Sequence, residues 1–102
     1  MVYYVFSNNS NWNDNVYLIE KFNNENAFIE FYLQKRLQCE NDYINKNIKY
    51  DIMQLPLKIS FFKKKMLTVY IDNDTILTYY VMKLPSFCNK FFEFVFTKFI
   101  NL

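Results

Sequence analysis

Two aspartates, Asp72 and Asp74, are the residues whose types and spacing come closest to a site for chemistry. Carboxylates in a D-x-D pair can bind a divalent cation through their oxygen atoms. Hairpin turns also favour Asp and Asn, because these side chains accept hydrogen bonds from nearby backbone N–H groups. Apolar runs flank the tetrad Asp72-Asn73-Asp74-Thr75 on both sides. A turn is therefore the simpler interpretation, and we predict no metal and no other cofactor.

The remaining catalytic side chains are few. The chain has no histidine, which excludes Ser-His and Cys-His nucleophilic sites. It has no glycine either, which excludes glycine-rich phosphate loops and the dinucleotide fingerprint. Glu20, Glu30, Glu40 and Asp51 could pair as general acid and base, but nothing in the sequence fixes the spacing between them. We expect no catalytic residues and no enzymatic activity.

The two cysteines, Cys39 and Cys88, are isolated in the sequence. Two cysteines without histidine cannot supply the four ligands of a structural zinc site. We expect two buried free thiols, with a single disulfide as the alternative.

A group of lysines suggests contact with nucleic acid. Lys63, Lys64 and Lys65 are consecutive, and Lys58 and Lys83 could belong to the same patch. Lysines beside aromatic rings can hold phosphates while bases stack on the rings. The formal net charge of +2 is nevertheless small for a dedicated nucleic-acid-binding protein. RNA binding, or a structural role beside the ribosome, is therefore the alternative function.

Aromatic residues are abundant, with 12 Phe and 9 Tyr in 102 residues. One thin core does not need so many rings, and Phe and Tyr are favoured in protein interfaces. The competing explanation is that AT-rich coding places Phe in the core where other genomes use Leu. The predicted partner-binding residues are Phe61, Phe62, Tyr79, Phe91 and Phe94.

A single α+β domain over residues 1–102 would position these side chains. Its centre is a hairpin at residues 67–84, which carries apolar residues on both faces and should be covered on both. Asn23 or Asn24 should cap the first helix, whose apolar residues, Leu33 and Leu37 among them, should face the core. In chain order we predict strands at 1–6 and 16–22, followed by a helix from 27 to about 39 that could extend to 44. Strands at 55–62, 67–71 and 76–84 and a helix at 87–100 complete the prediction.

The predicted order is β-β-α-β-β-β-α, an antiparallel sheet of about five strands with two helices packed on one face. A strand over 91–96 is the alternative to the last helix, because this run is aromatic. Lys63–Lys65 is predicted as a turn, and 45–54 as a polar connection. Over residues 24–100 the element order resembles that of double-stranded-RNA-binding domains, although their glycine-containing loops, loop histidine and Lys-Lys-x-Ala-Lys helix start are absent.

These features together predict a small non-enzymatic binding protein. Residues with AT-rich codons dominate the chain, a bias that suits small phage and viral accessory proteins. The narrow form of the hypothesis is an inhibitor of a host protein or defence nuclease complex, as anti-CRISPR proteins are. Its partner would be a protein or ribonucleoprotein in the cytoplasm, the host's if the chain is viral. No apolar run approaches the ~18 residues of a membrane-spanning helix, and nothing predicts the oligomeric state.

Overall fold

The computed structural model of this protein describes residues 1–9, 16–54, 58–72 and 74–85. Its elements are β1 (Val2–Asn9), β2 (Tyr17–Phe22), α1 (Glu25–Lys46), β3 (Lys49–Ile52), β4 (Ser60–Tyr70) and β5 (Ile76–Leu84). The strands form one antiparallel sheet in the order β2-β1-β5-β4-β3. The α+β class and the five-stranded antiparallel sheet are therefore confirmed. The described ranges hold one helix where the sequence predicts two, and the second predicted helix, 87–100, lies outside them.

The predicted hairpin is present as β4 and β5, and β5 is the middle strand of the sheet. Asp72 holds the turn, because its Oδ1 accepts hydrogen bonds from the N–H groups of Asp74 at 2.9 Å and Thr75 at 2.8 Å. These two donors stabilise the carboxylate and so hold the pKa of Asp72 below its ordinary value. The contacts of Asp72 are thus those of a turn residue.

Asparagines cap both ends of helix α1. The Asn24 side chain accepts a hydrogen bond from the Ala27 N–H at 2.8 Å, and Glu25 follows in the first turn, where the helix dipole favours a negative charge. Asn47 ends the helix in the left-handed conformation, with φ of 56°. In a chain without glycine, asparagine is the residue that adopts this conformation most readily.

Two predictions for the middle of the chain are wrong. Residues 45–54, predicted as a polar connection, contain the edge strand β3, and Lys63–Lys65, predicted as a turn, lie inside β4. The register between β4 and β5 shifts between Ser60 and Lys64 and again between Lys65 and Leu67. Such bulges insert extra residues and interrupt the alternation of apolar and polar positions. The sequence pattern at the three lysines therefore indicates a turn, although the strand continues through them.

Both faces of the sheet carry a buried apolar cluster, as predicted for the central hairpin. Successive residues of a strand point to opposite faces, so β1 and β5 supply side chains to both. The cluster on the α1 side contains Tyr3, Val5, Phe28, Tyr32, Met66 and Val81. The cluster on the other face contains Val2, Tyr4, Phe6, Met82 and Leu84. Within the described ranges, no helix combines the length and apolarity needed to cross a membrane.

Candidate functional site

Helix α1 has apolar side chains on the side that points away from the sheet. Its buried residues, which face the sheet, are Phe28, Tyr32 and Cys39. Leu33, Leu37 and Ile44 follow one another at spacings of four and seven residues, which places them together on the opposite side of the helix. Their exposed fractions are 52%, 58% and 76%. We call these three residues the outer stripe.

The outer stripe differs from the sequence prediction. The sequence predicts Leu33 and Leu37 on the core side of the helix, and the structure exposes both. On the sheet side, Lys35 lies beside two aromatic rings. Its Nζ is 5.7 Å from the ring centroid of Phe31 and 5.3 Å from that of Tyr79. A lysine stem can cover apolar surface while its amino group remains near water. Because Lys35 is polar, the pattern of apolar residues in the sequence does not indicate that this side of the helix faces the sheet.

Among the predicted partner-binding residues, Tyr79 is the one whose side chain the structure describes. Tyr79 is partly buried, packs against the cluster on the α1 side and lies beneath Lys35. Phe61 and Phe62 lie in β4. Phe91 and Phe94 lie outside the described residues. The binding role of these four phenylalanines stays a prediction.

The three consecutive lysines are exposed but point to different faces of the sheet. Lys63 lies on the face away from α1, because its Nζ is 5.7 Å from the centroid of Phe6. Lys64 is opposite Val81 and therefore points to the α1 side, whereas Lys65 is opposite Tyr80 and points away from α1. At most two of the three can contact one ligand surface together.

Of the other two lysines of the predicted patch, Lys83 shares a face of the sheet with Lys64. Lys83 is on the α1 side, where its Nζ lies 3.9 Å from Glu25 Oε1 and 5.4 Å from the ring centroid of Tyr3. Lys58 is exposed and precedes β4. The described lysines of the predicted patch therefore lie on both faces of the sheet, Lys63 and Lys65 on one face and Lys64 and Lys83 on the other.

The reactive side chains of the described residues include carboxylates and the thiol of Cys39. No three His, Cys, Asp or Glu residues lie close enough there to hold a metal ion. Cys39 is a buried free thiol, as predicted, and Cys88 lies outside the described residues. Burial, and then the neighbouring Asp42 carboxylate, raise the pKa of the Cys39 thiol. A protonated, buried thiol is a poor nucleophile.

An open groove of about 710 Å³ lies along the β3 edge of the sheet. On the α1 side the ring of Tyr43 meets the ring of Tyr50 edge-on, with centroids 6.4 Å apart. On the other side the Tyr70 hydroxyl donates a hydrogen bond of 3.0 Å to Asp51. This bond to a carboxylate raises the pKa of Tyr70, because the acceptor stabilises the protonated phenol. The sequence prediction missed this groove because it placed no strand here.

Comparisons with known proteins add no family to this description. No family model matches the chain, and no curated protein or solved structure matches it either.

Proposed function

We propose that this chain is a non-enzymatic protein that binds another protein through the outer stripe of α1. The exposure of Leu33, Leu37 and Ile44, on a helix whose other side already packs on the sheet, carries the proposal. A surface helix usually presents polar residues to water on its free side. Apolar residues spaced by about one helical turn are the anchors with which helices enter grooves of partner proteins. Exposed apolar patches rimmed by polar residues mark such contacts.

The charges beside the stripe suit the border of an interface. Arg36 Nε and Glu40 Oε1 form an exposed i,i+4 ion pair at 3.3 Å. Protein interfaces typically combine an apolar centre with a polar, partly hydrated rim. Leu33 and Leu37 would provide the centre, and Arg36 and Glu40 part of the rim.

The narrower form of the proposal is a phage or viral inhibitor of a host protein or of a defence nuclease complex, acting in the host cytoplasm. Its support comes from the length of 102 residues and from the scarcity of residues with GC-rich codons. Identification of the bound protein tests this narrower form separately from binding itself.

The double substitution Leu33→Glu/Leu37→Glu should abolish partner binding without unfolding the chain. Central apolar anchors of an interface typically cost ~2 kcal/mol or more each when lost, so affinity should fall at least about 100-fold. The matched control is Gln34→Glu/Asn41→Glu, which adds two carboxylates to exposed positions of the same helix. The measurement is co-purification from host lysate, followed by calorimetric titration of the purified partner.

Circular dichroism should show that both variants retain the helix, since all four positions are exposed. The proposal requires a stoichiometric partner that wild type and control retain and that the stripe variant loses. Equal retention by all three proteins would place the interface elsewhere, and the absence of any stoichiometric partner would count against protein binding as a function.

RNA contact is a second candidate function, supported by one observation. Lys63 and Lys65 are both exposed and both point to the face away from α1. Two ammonium groups on one face of a strand can contact neighbouring phosphates of a single strand.

The corresponding prediction concerns the salt dependence of RNA affinity. For single strands, each neutralised phosphate contributes about −0.7 to the slope of log K against log salt concentration. Lys63→Glu/Lys65→Glu should therefore make the slope less steep by about 1.4 if both lysines contact phosphates. Lys64→Glu, on the opposite face, is the control and should change it less. Fluorescence anisotropy with a labelled oligonucleotide measures the slope, and lack of binding at low salt would eliminate this function.

A further inference from the structure

Strand β3 is at the edge of the sheet, and its outer side has no neighbouring strand among the described residues. The Met53 N–H donates a hydrogen bond of 2.9 Å to the Met66 carbonyl, so the backbone groups of residue 53 point toward β4. In an antiparallel strand this direction alternates from residue to residue. The backbone N–H and C=O of Asp51 therefore also point toward β4. Those of Tyr50 and Ile52 point outward, where a further strand would bind.

The side chains of this edge are arranged symmetrically about Tyr50. Lys49 and Asp51 flank it with opposite charges, and Ile48 and Ile52 lie one residue further out. A second copy of β3, placed antiparallel with Tyr50 opposite Tyr50, would put each Lys49 directly opposite Asp51 of the other copy. The outward N–H and C=O groups of the two Tyr50 residues would then bond to each other, as in a hydrogen-bonded antiparallel pair. The edge is thus complementary to itself.

Neighbouring registers lack this match. In the register that pairs Lys49 with Lys49 of the second copy, the two lysines would lie opposite each other. In the register that pairs Asp51 with Asp51, the two aspartates would lie opposite each other. Like charges directly opposite each other destabilise a strand pair, whereas opposite charges stabilise it. The opposite edge, β2, has Glu20 and Lys21 as neighbours on different faces, so a two-fold pairing cannot bring these two directly opposite each other on one face.

The surroundings of β3 favour the same arrangement. Lys49 and Asp51 are exposed on the face away from α1, and the Tyr70 hydroxyl bond of 3.0 Å orients the Asp51 carboxylate. On the α1 side, Tyr43 is 52% exposed beside Tyr50. The groove along this edge would receive the tyrosines of the second copy, and tyrosine is enriched in protein interfaces.

We propose that two copies of this chain form a symmetric homodimer through β3, which joins their sheets into one continuous antiparallel sheet. The contact is isologous, with the same residues on both sides, as in most two-fold dimers. The edge strand has only four residues, so the buried area falls at the low end of specific interfaces and the dimer should exchange with monomer. The outer stripe on α1 does not take part and stays available to another partner.

The test is analytical ultracentrifugation over a series from micromolar to near-millimolar protein. The mass of the wild type should rise from the monomer's 12.6 kDa toward twice that value. Lys49→Asp and Asp51→Lys, made singly, each create two like-charge pairs across the axis and should weaken the dimer at least about tenfold. The charge-swapped variant Lys49→Asp/Asp51→Lys restores opposite charges and should restore dimerisation. Glu20→Lys on the other edge strand changes the net charge as Asp51→Lys does, so it is the control and should dimerise normally.

A wild type that stays at 12.6 kDa throughout the series overturns the proposal. So does a dimer that both single variants leave intact, or a swapped variant that remains as weak as the single ones. Because the swapped variant must both fold and associate, its recovery separates loss of the contact from loss of the fold. Circular dichroism of each variant supplies the second readout.

Discussion

Phe28→Ala should lower the free energy of unfolding by about 3–5 kcal/mol, the usual cost of removing a buried phenylalanine ring. Phe28 is 1% exposed, and its ring centroid lies 4.4 Å from that of Tyr3 and 6.1 Å from that of Phe22. This ring joins the first turns of α1 to β1 and β2, so its loss leaves a cavity where the helix meets the sheet. Urea denaturation followed by circular dichroism measures the change.

The matched control is Leu37→Ala in the same helix. Leu37 is 58% exposed, and alanine has the highest helix propensity, so the change should stay within about 0.5 kcal/mol. Similar costs for the two substitutions would mean that α1 does not pack on the sheet through the side that contains Phe28. The two variants therefore also test whether Leu37 belongs to the core, as the sequence predicts, or to the outer stripe.

Phe6→Ala should destabilise the protein by a similar amount, about 3–5 kcal/mol, from the opposite side of the sheet. Phe6 is fully buried among Tyr4, Met82 and their neighbours on the face away from α1. The substitution also removes the ring beneath the Lys63 ammonium, a contact worth about 0.5–1 kcal/mol at an exposed site. Because domains of this kind have only about 5–15 kcal/mol of stability, a large part of it should disappear.

Ile19→Ala in β2 serves as the comparison for Phe6→Ala. Ile19 is 43% exposed, so its truncation should cost no more than about 1 kcal/mol. If Phe6→Ala cost as little, the face away from α1 would be a solvent-exposed surface instead of a second core. Phe6→Leu, which retains most of the apolar volume, should fall between the two and show that the loss follows packing.

The parts of the fold that the sequence predicts well are those with local signals. The hairpin follows from two β-prone runs around Asp72, and the carboxylate bonds to Asp74 and Thr75 explain why this residue type starts the turn. The start of α1 follows in the same way from the capping side chain of Asn24. Each signal acts over a few neighbouring residues, so composition and order are sufficient to locate it.

The errors concern features that depend on distant parts of the chain. Half of the four residues in β3 are charged, and pairing with β4 makes them a strand where the local sequence indicates a connection. In β4 the bulges on either side of Lys64 and Lys65 remove the period of two on which strand prediction depends. In both segments, pairing with another strand determines the conformation, and the local sequence does not show that pairing.

The candidate site was harder to predict than the fold. The apolar residues of α1 cover two sides of the helix, and periodicity alone cannot show which side meets the sheet. The residue type of Tyr79 predicts a partner-binding residue, but Lys35 lies over its ring. The lysine triplet looks continuous in the sequence, and strand alternation separates Lys64 from its two neighbours. Surface patches depend on orientation, which a linear sequence does not show.

The middle position of β5 has a consequence for how the chain acquires its structure during synthesis. β1 pairs with β2 and β3 pairs with β4. Among the described strands, β5 joins these two pairs, with Val81 beside Val5 on one side and Lys64 on the other. The sheet therefore cannot close until β5 has left the ribosome. Contacts between residues so far apart in sequence slow folding. Until β5 pairs, the β1–β2 and β3–β4 pairs have unpaired strand edges. The chain is therefore most prone to aggregation in this interval.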